Sequence, residues 1–315
     1  MSTNTWKKHA CAQKCLEEFN TFCKKNKDEL LSKENIPDFI EFCYKKKDLK
    51  SSTIRSYISS ISLILKLRDA DFSFCSSYLV NNLLKGIENL EFYKNISKGT
   101  RKVMTLPLLK LIGHQIAISD WKEDSKQVFW TAILVAFFGS IRLGEILGKN
   151  EHEFNPNETF LWDDVSFRED DSVLIKLKIV KNRTVQGEFI DLFPFKDKEC
   201  CPVIALKRLF ELKTAKKRIG MPVFTFNNGT ILTSSTVNST LPKLIAPHLG
   251  EKAASEYKGH SLRAGIPSAI ASRPDVARKS DVKMWGRWSS DSYMLYTRLK
   301  LTQKKTLWDM IMTVL

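Results

Sequence analysis

From Trp6 to about Leu90, apolar residues return every three or four positions. They run through Cys11, Cys15, Leu16, Phe19, Phe22 and Cys23, then Ile36, Phe39, Ile40 and Cys43, then Ile54, Tyr57, Ile58, Ile61, Ile64 and Leu65. That period lays one buried stripe along each of three helices. Ser51 and Ser52 ahead of Thr53 and Ile54 mark a helix start, and Pro37 suits a first turn. A fourth helix is expected over Tyr78 to Leu90. The period then lapses in EFYKNISKGTRKVMT, Glu91 to Thr105, which carries Lys94, Lys98, Gly99, Arg101 and Lys102 and reads as a basic linker.

After Pro107 an apolar helix reaches Ile116, and a second runs from about Lys126 to Phe138 and stops at Gly139. The period then changes from helix to strand. Leu161 to Phe167, Val173 to Val180 and Glu188 to Leu192 alternate or are β-branched, with polar turns at Arg168 to Asp171 and Lys181 to Gln186, which predicts a three-stranded antiparallel sheet. Helices return from Val203, with a loop at Phe226 to Leu232 and starts near Ser235 and Ser261. The expected fold is α+β and mostly α. A helical domain over 1–92 is joined by a linker, 93–105, to a larger domain, 106–315, that holds the small sheet and ends in a helix.

Composition adds a partner class. The 315 residues are 43% hydrophobic and 27% charged, as in folded soluble chains. Lys and Arg number 50 against 35 Asp and Glu, a net charge of +15, which points to a polyanion. The surplus is spread along the chain, since residues 1–100 hold 17 basic against 12 acidic side chains. The longest apolar run, Thr131 to Phe138, is too short to span a bilayer, and the N-terminus lacks a secretory h-region, so an intracellular protein without a membrane partner is expected. The seven cysteines, Cys11, Cys15, Cys23, Cys43, Cys75, Cys200 and Cys201, show no C-x-x-C or zinc spacing, so they read as reduced and metal-free, with Cys11 and Cys15 as buried small side chains.

Two segments carry cations in apolar surroundings. In FFGSIRLGEIL, Arg142 follows an apolar helix, with Glu145 three residues later. In KGHSLRAGIPSAIA, His260 and Arg263 stand three apart on a helix that needs Leu262, Ile266 and Ile270 for packing. Two guanidiniums and an imidazole converging on one point would hold a phosphodiester, because the arginine fork bonds two phosphate oxygens at once. A nucleophile is available in MWGRWSSDSYMLYTRLK, where Tyr293 and Tyr296 follow Trp288. The acidic clusters Asp163 with Asp164 and Glu169 to Asp171 fall on a strand edge and a hairpin turn, and read as solvated turn carboxylates rather than a two-metal site.

With Arg142 and Glu145 in GSIRLGEIL, His260 and Arg263 in GHSLRAG, and GRWSSDSYMLYTR ending near Tyr296, the chain resembles the tyrosine recombinases, the Cre-like and lambda-integrase-like family. The resemblance covers Thr105 to Tyr296, and Trp6 to Leu90 resembles the family's helical, SAM-like core-binding domain. The wording GRWSSDSYMLYTR is similar to recombinases of eukaryotic mobile elements, the Crypton and DIRS types.

The resemblance implies a site-specific recombinase or transposase acting on double-stranded DNA with no metal or other cofactor. Tyr296, with Tyr293 as rival, would attack the scissile phosphate to give a 3′-phosphotyrosine, with Arg142 and Arg263 on the nonbridging oxygens. His260 would handle a proton, Trp288 would donate its indole N–H, and Glu145 would orient its neighbours; Arg287 is the alternative to Trp288. Lys181 would be the general acid, with Lys178 as rival. Lys94, Lys98, Arg101 and Lys102 would meet the DNA backbone, and base-reading residues would lie on Ser51 to Lys66 and Thr236 to Lys243. Four protomers would assemble on DNA. The stripe Leu307, Trp308, Ile311, Met312 and Leu315 would dock on a neighbouring protomer or cap its own core. Lys216, Lys217 and Arg218 are a weak signal for nuclear entry. Two other readings remain open: a catalytically silent DNA-binding derivative, and a type IB topoisomerase.

Overall fold

A computed structural model describes residues 3–94, 102–179, 187–214, 218–272 and 278–287. The chain divides into two compact units, Met1–Lys98 and Gly99–Leu315. In the first, α1 (Thr3–Phe22) buries Ala12, Cys15, Leu16 and Phe19, and α3 (Ser51–Leu67) buries Ile54, Ile58, Ile61 and Leu65. Both stripes follow the i, i+3, i+4, i+7 spacing, and the two helices pack on each other. α2 (Ile36–Glu41) has Pro37 in its first turn and widens into a π turn over Phe42–Lys46. α4 (Tyr78–Lys94) buries Val80, Leu84 and Ile87 against α2 and α3. Phe19 meets Phe39 edge-on at 5.4 Å, and the Cys15 and Cys43 sulfurs lie 3.6 Å apart. Cys11, expected to be buried, is exposed, because the stripe of α1 passes through Ala12 and Cys15 and leaves position 11 outside it.

The stretch expected as a linker is shortened from both ends. α4 continues to Lys94, and the Glu91 carboxylate caps α3 by accepting from Ser51 N at 2.5 Å and Ser51 Oγ at 3.0 Å. At the other end Met104 is fully buried and its N–H donates to Ser261 O at 2.9 Å. One anchoring side chain leaves no period to read, which is why the sequence pattern missed it. Lys102 pairs with Glu256 at 3.4 Å, Lys94 ends α4, and Lys98 and Arg101 lie outside the described residues.

In the second unit, α5 (Leu106–Ile118) starts at Thr105, whose Oγ1 accepts from Leu108 N. The central α6 (Glu123–Phe138) is buried on every side from Val128 to Phe137, apart from Trp130, and packs on α8 (Pro202–Leu212). The sheet has the order β1 (Val165–Phe167), β2 (Val173–Leu177), β3 (Glu188–Leu192), antiparallel throughout, with Ile175 opposite both Val165 and Ile190. Val173, Ile175 and Leu177 face the core on the period of two. α9 (Ser234–Leu249), α10 (Glu251–Ala254), α11 (Gly259–Arg263), α12 (Gly265–Ala271) and α13 (Lys279–Gly286) complete the unit.

Two strands differ from their expected extent. Trp162–Asp164 form a 3-10 turn, because the buried Asp164 carboxylate accepts from Leu161 N at 2.9 Å and closes the chain on itself. Asp164 is therefore not a solvated turn residue: it pairs with Lys178 Nζ at 2.7 Å. β2 ends at Leu177, which leaves Lys178 outside the strand, and Val180 lies beyond the described residues. The expected helix carrying His260 and Ile270 is two helices, α11 and α12, meeting at Ala264.

Candidate active site

The site is built where α6 ends. Ser140 takes a left-handed conformation (φ +50°) and the fully buried Ile141 anchors the turn, donating from its N–H to Ala136 O at 3.0 Å. Arg142 follows in extended conformation and leads into α7 (Leu143–Ile146). The Glu145 carboxylate turns back on it, accepting from Arg142 N at 3.1 Å and from Arg142 Nη1 at 2.7 Å. The Glu145 side chain is 5% exposed and that of Arg142 34%, so part of the arginine fork reaches solvent while the carboxylate does not.

α11 is pressed onto this turn. A Cβ at Gly259 would stand 2.3 Å from Leu143 Cδ1, so any side chain there would force Leu143 to shift, and Gly259 N donates to Asn238 Oδ1 of α9 at 2.8 Å. His260, next in the chain, is exposed, and Arg263 at the end of α11 is buried. α12 is held as closely to α6, since a Cβ at Gly265 would meet the Phe137 ring at 2.1 Å. The two cation-bearing segments are thus brought together by glycine contacts that their flanking residues require.

Arg263 Nη2 reaches back to the end of α13, donating to Gly286 O at 2.7 Å and Arg287 O at 3.1 Å. Arg287 closes the cluster. Its Nη1 lies 3.1 Å from Glu145 Oε2, its Nε donates to Glu188 Oε2 at 2.6 Å, and its Nη2 lies 2.5 Å from the same oxygen. Three guanidiniums, Arg142, Arg263 and Arg287, and two carboxylates, Glu145 and Glu188, are therefore linked in one region, and among these described side chains the cations outnumber the anions by one. Such a surplus, with one fork partly open to solvent, suits a bound anion.

Arg287, weighed as an alternative to Trp288, has its fork turned to carboxylates. Lys178, weighed against Lys181, is committed elsewhere: besides Asp164 it donates to Pro156 O at 2.9 Å and Thr159 O at 3.1 Å. The β2–β3 connection that carries Lys181 ends at Glu188, which is opposite Leu177 in the sheet. Lys181, Trp288, Tyr293, Tyr296 and the stripe from Leu307 to Leu315 lie outside the described residues. Lys216 and Lys217 lie outside the described residues, while the Arg218 guanidinium stacks 3.7 Å from the Phe210 ring centroid and donates to Phe210 O and Lys213 O, both at 2.6 Å. Glu188 and the inward role of Arg287 escaped the sequence reading, because ion pairs across roughly a hundred residues leave no local period. The one available signal was a charged residue between Gly286 and Trp288.

Among the described residues no group of three or more His, Cys, Asp or Glu side chains could hold a metal ion, and no helix is long and apolar enough to cross a membrane.

No protein-family model and no curated protein matches the sequence. Solved structures do match over nearly the whole chain. The integrase of the Tn1549 transposon in complex with circular intermediate DNA is 13% identical, covers 94% of this chain and 92% of its own, and superposes with a TM-score of 0.58. XerH site-specific recombinase, bound to palindromic difH substrate in a post-cleavage complex, is 14% identical over 94% of this chain and 76% of its own, with a TM-score of 0.57. A lambda integrase dimer bound to a COC′ core site is 13% identical over 95% of this chain and 89% of its own, with a TM-score of 0.55. The chain has the tyrosine recombinase fold.

Proposed function

We propose that the protein is a tyrosine recombinase, a DNA strand transferase that cuts and rejoins duplex DNA through a covalent 3′-phosphotyrosine at Tyr296. The observation that carries this reading is the linkage of Arg142 and Arg263 through Glu145 and Arg287 at the end of α13, in a fold shared with integrases bound to DNA. Arg142 and Arg263 bind the nonbridging oxygens of the scissile phosphate and stabilise the charge that gathers there. Each such donor in a preorganised site is worth about 100- to 1,000-fold in rate. The Tyr296 oxygen attacks phosphorus and its proton passes to His260. The bond to the 5′ oxygen breaks, and that oxygen takes a proton from Lys181. Trp288 donates its indole N–H to the phosphate, and Glu145 orients the Arg142 fork.

The phosphotyrosine ester conserves the energy of the phosphodiester, so rejoining is the same step run backwards and needs neither metal nor nucleotide. In this reading residues 1–92 form the core-binding domain and 106–315 the catalytic domain. Lys94, Lys98, Arg101 and Lys102 neutralise DNA phosphates. Four protomers pair two sites, and the C-terminal stripe docks on a neighbour.

The test is a library of duplexes, randomised in sequence and nicked at a fixed position, incubated with the full chain in EDTA. The nick lets the cut end diffuse away and traps the covalent species. Wild type is expected to give a protein–DNA adduct stable to denaturing gels, and Tyr296→Phe none. Bound but uncut DNA with wild type would leave a catalytically silent binder, and cleavage that requires magnesium would overturn the metal-free chemistry.

A further inference from the structure

We infer that Arg287 is a positioning residue for strand transfer, acting through Arg142 and Arg263 rather than on DNA; this rests on the reading of those two arginines as phosphate ligands. Arg287 has φ +55°, the left-handed region that glycine enters freely and L side chains resist. A bulky residue persists there only when its surroundings over-determine it. They do so here from three elements. Glu145 of α7 and Glu188 of β3 hold the guanidinium, whose side chain is 6% exposed, and Arg263 of α11 holds the Gly286 and Arg287 carbonyls.

The charge arrangement gives this knot a chemical consequence. Glu145 presents Oε1 to the Arg142 guanidinium and Oε2 to both Arg142 N and the Arg287 guanidinium, so Arg287 draws on the same negative charge that faces Arg142. Without Arg287 the carboxylate would turn wholly to Arg142 and weaken its pull on a phosphate. The backbone turn that presents the Gly286 and Arg287 carbonyls to Arg263 would also lose the side-chain anchors that hold it. Nε, Nη1 and Nη2 of Arg287 all face carboxylate oxygens, which turns the fork away from any direct DNA contact.

The experiment uses the full chain as wild type, Arg287→Gly and Arg287→Lys. The probe is a nicked duplex recovered as an adduct by wild type from the randomised library, made with either an ordinary scissile phosphate or a neutral methylphosphonate there. Arg287→Gly suits the left-handed backbone. It is expected to bind DNA within about 3-fold of wild type but to cleave the ordinary probe about 100-fold more slowly, the usual scale for misplaced reacting groups. Arg287→Lys, which keeps the charge, recovers part of that loss and carries the test should the glycine variant not fold. On the methylphosphonate, which has no nonbridging charge to hold, the deficit shrinks to below about 10-fold. Equal deficits on both probes would reduce Arg287 to a structural brace, and an unchanged cleavage rate would overturn the inference outright. A wild type that yields no adduct overturns instead the reading of the whole site.

Discussion

Replacing Glu145 with alanine removes a buried carboxylate that accepts from Arg142 N, Arg142 Nη1 and Arg287 Nη1. Breaking a fully buried ion pair by deleting one partner costs about 3–5 kcal/mol. Two features reduce that here. Water reaches Arg142, whose side chain is 34% exposed, and Arg287 keeps Glu188. The expected loss is therefore roughly 2–3 kcal/mol. In a domain of this size that lowers Tm by about 5–10 °C. Glu145→Gln keeps one oxygen acceptor and the shape of the side chain, and should cost about half as much. The assay is thermal unfolding of the full chain by circular dichroism, read on the transition of the larger unit, with Arg287→Gly and the double variant completing a cycle. The two sites touch, so their effects should fall short of additivity by about 1 kcal/mol or more. A Tm shift below about 1 °C for the alanine variant, or strict additivity, would refute the geometry described for this cluster.

Other outcomes follow from the same structure. Gly265→Ala forces a methyl to within 2.1 Å of the Phe137 ring and 3.0 Å of Met104 O, and should destabilise the larger unit by about 1–3 kcal/mol in denaturant titration. Maleimide at neutral pH should label the exposed Cys11 in the native protein, while Cys15, Cys43, Cys75, Cys200 and Cys201 react only after unfolding, as peptide mapping would reveal. Burial pushes the Cys75 and Cys200 thiols up to about 11. Between pH ~9 and ~11 the unfolded chain loses protons that the folded chain retains, so stability falls as pH rises, by up to about 2–3 kcal/mol for each thiol. Cys200→Ala should flatten that decline. Binding of wild type to duplex DNA should weaken steeply between 50 and 200 mM salt, by about 1,000-fold or more if six or more phosphates are neutralised.

How far the sequence reached differs between elements for physical reasons. The stripes of α1 and α3 and the alternation of β2 repeat over several turns or pairs, and such repetition survives in one sequence. The ends of elements are set by single contacts. Asp164 shortens the first strand by capping Leu161, Glu91 extends α4 by capping Ser51, and Met104 ties the linker to Ser261. Arg142 and Arg263 stand out in the sequence because cations in apolar surroundings demand a reason, and Glu145 because it follows Arg142 by three residues. Gly259 and Gly265 flank the second segment for the same close packing that brings the arginines together. Glu188 was not legible, since an acid at the edge of a small sheet is ordinary until Arg287 is found against it.

The most direct measurement of the central claim is the site of covalent attachment. The adduct trapped on a nicked duplex, digested with trypsin and nuclease, should yield the peptide from Trp288 to Arg298 carrying nucleotide on Tyr296. Attachment at Tyr293 or a serine of that peptide, or an intact strand with no adduct at all, would contradict the account.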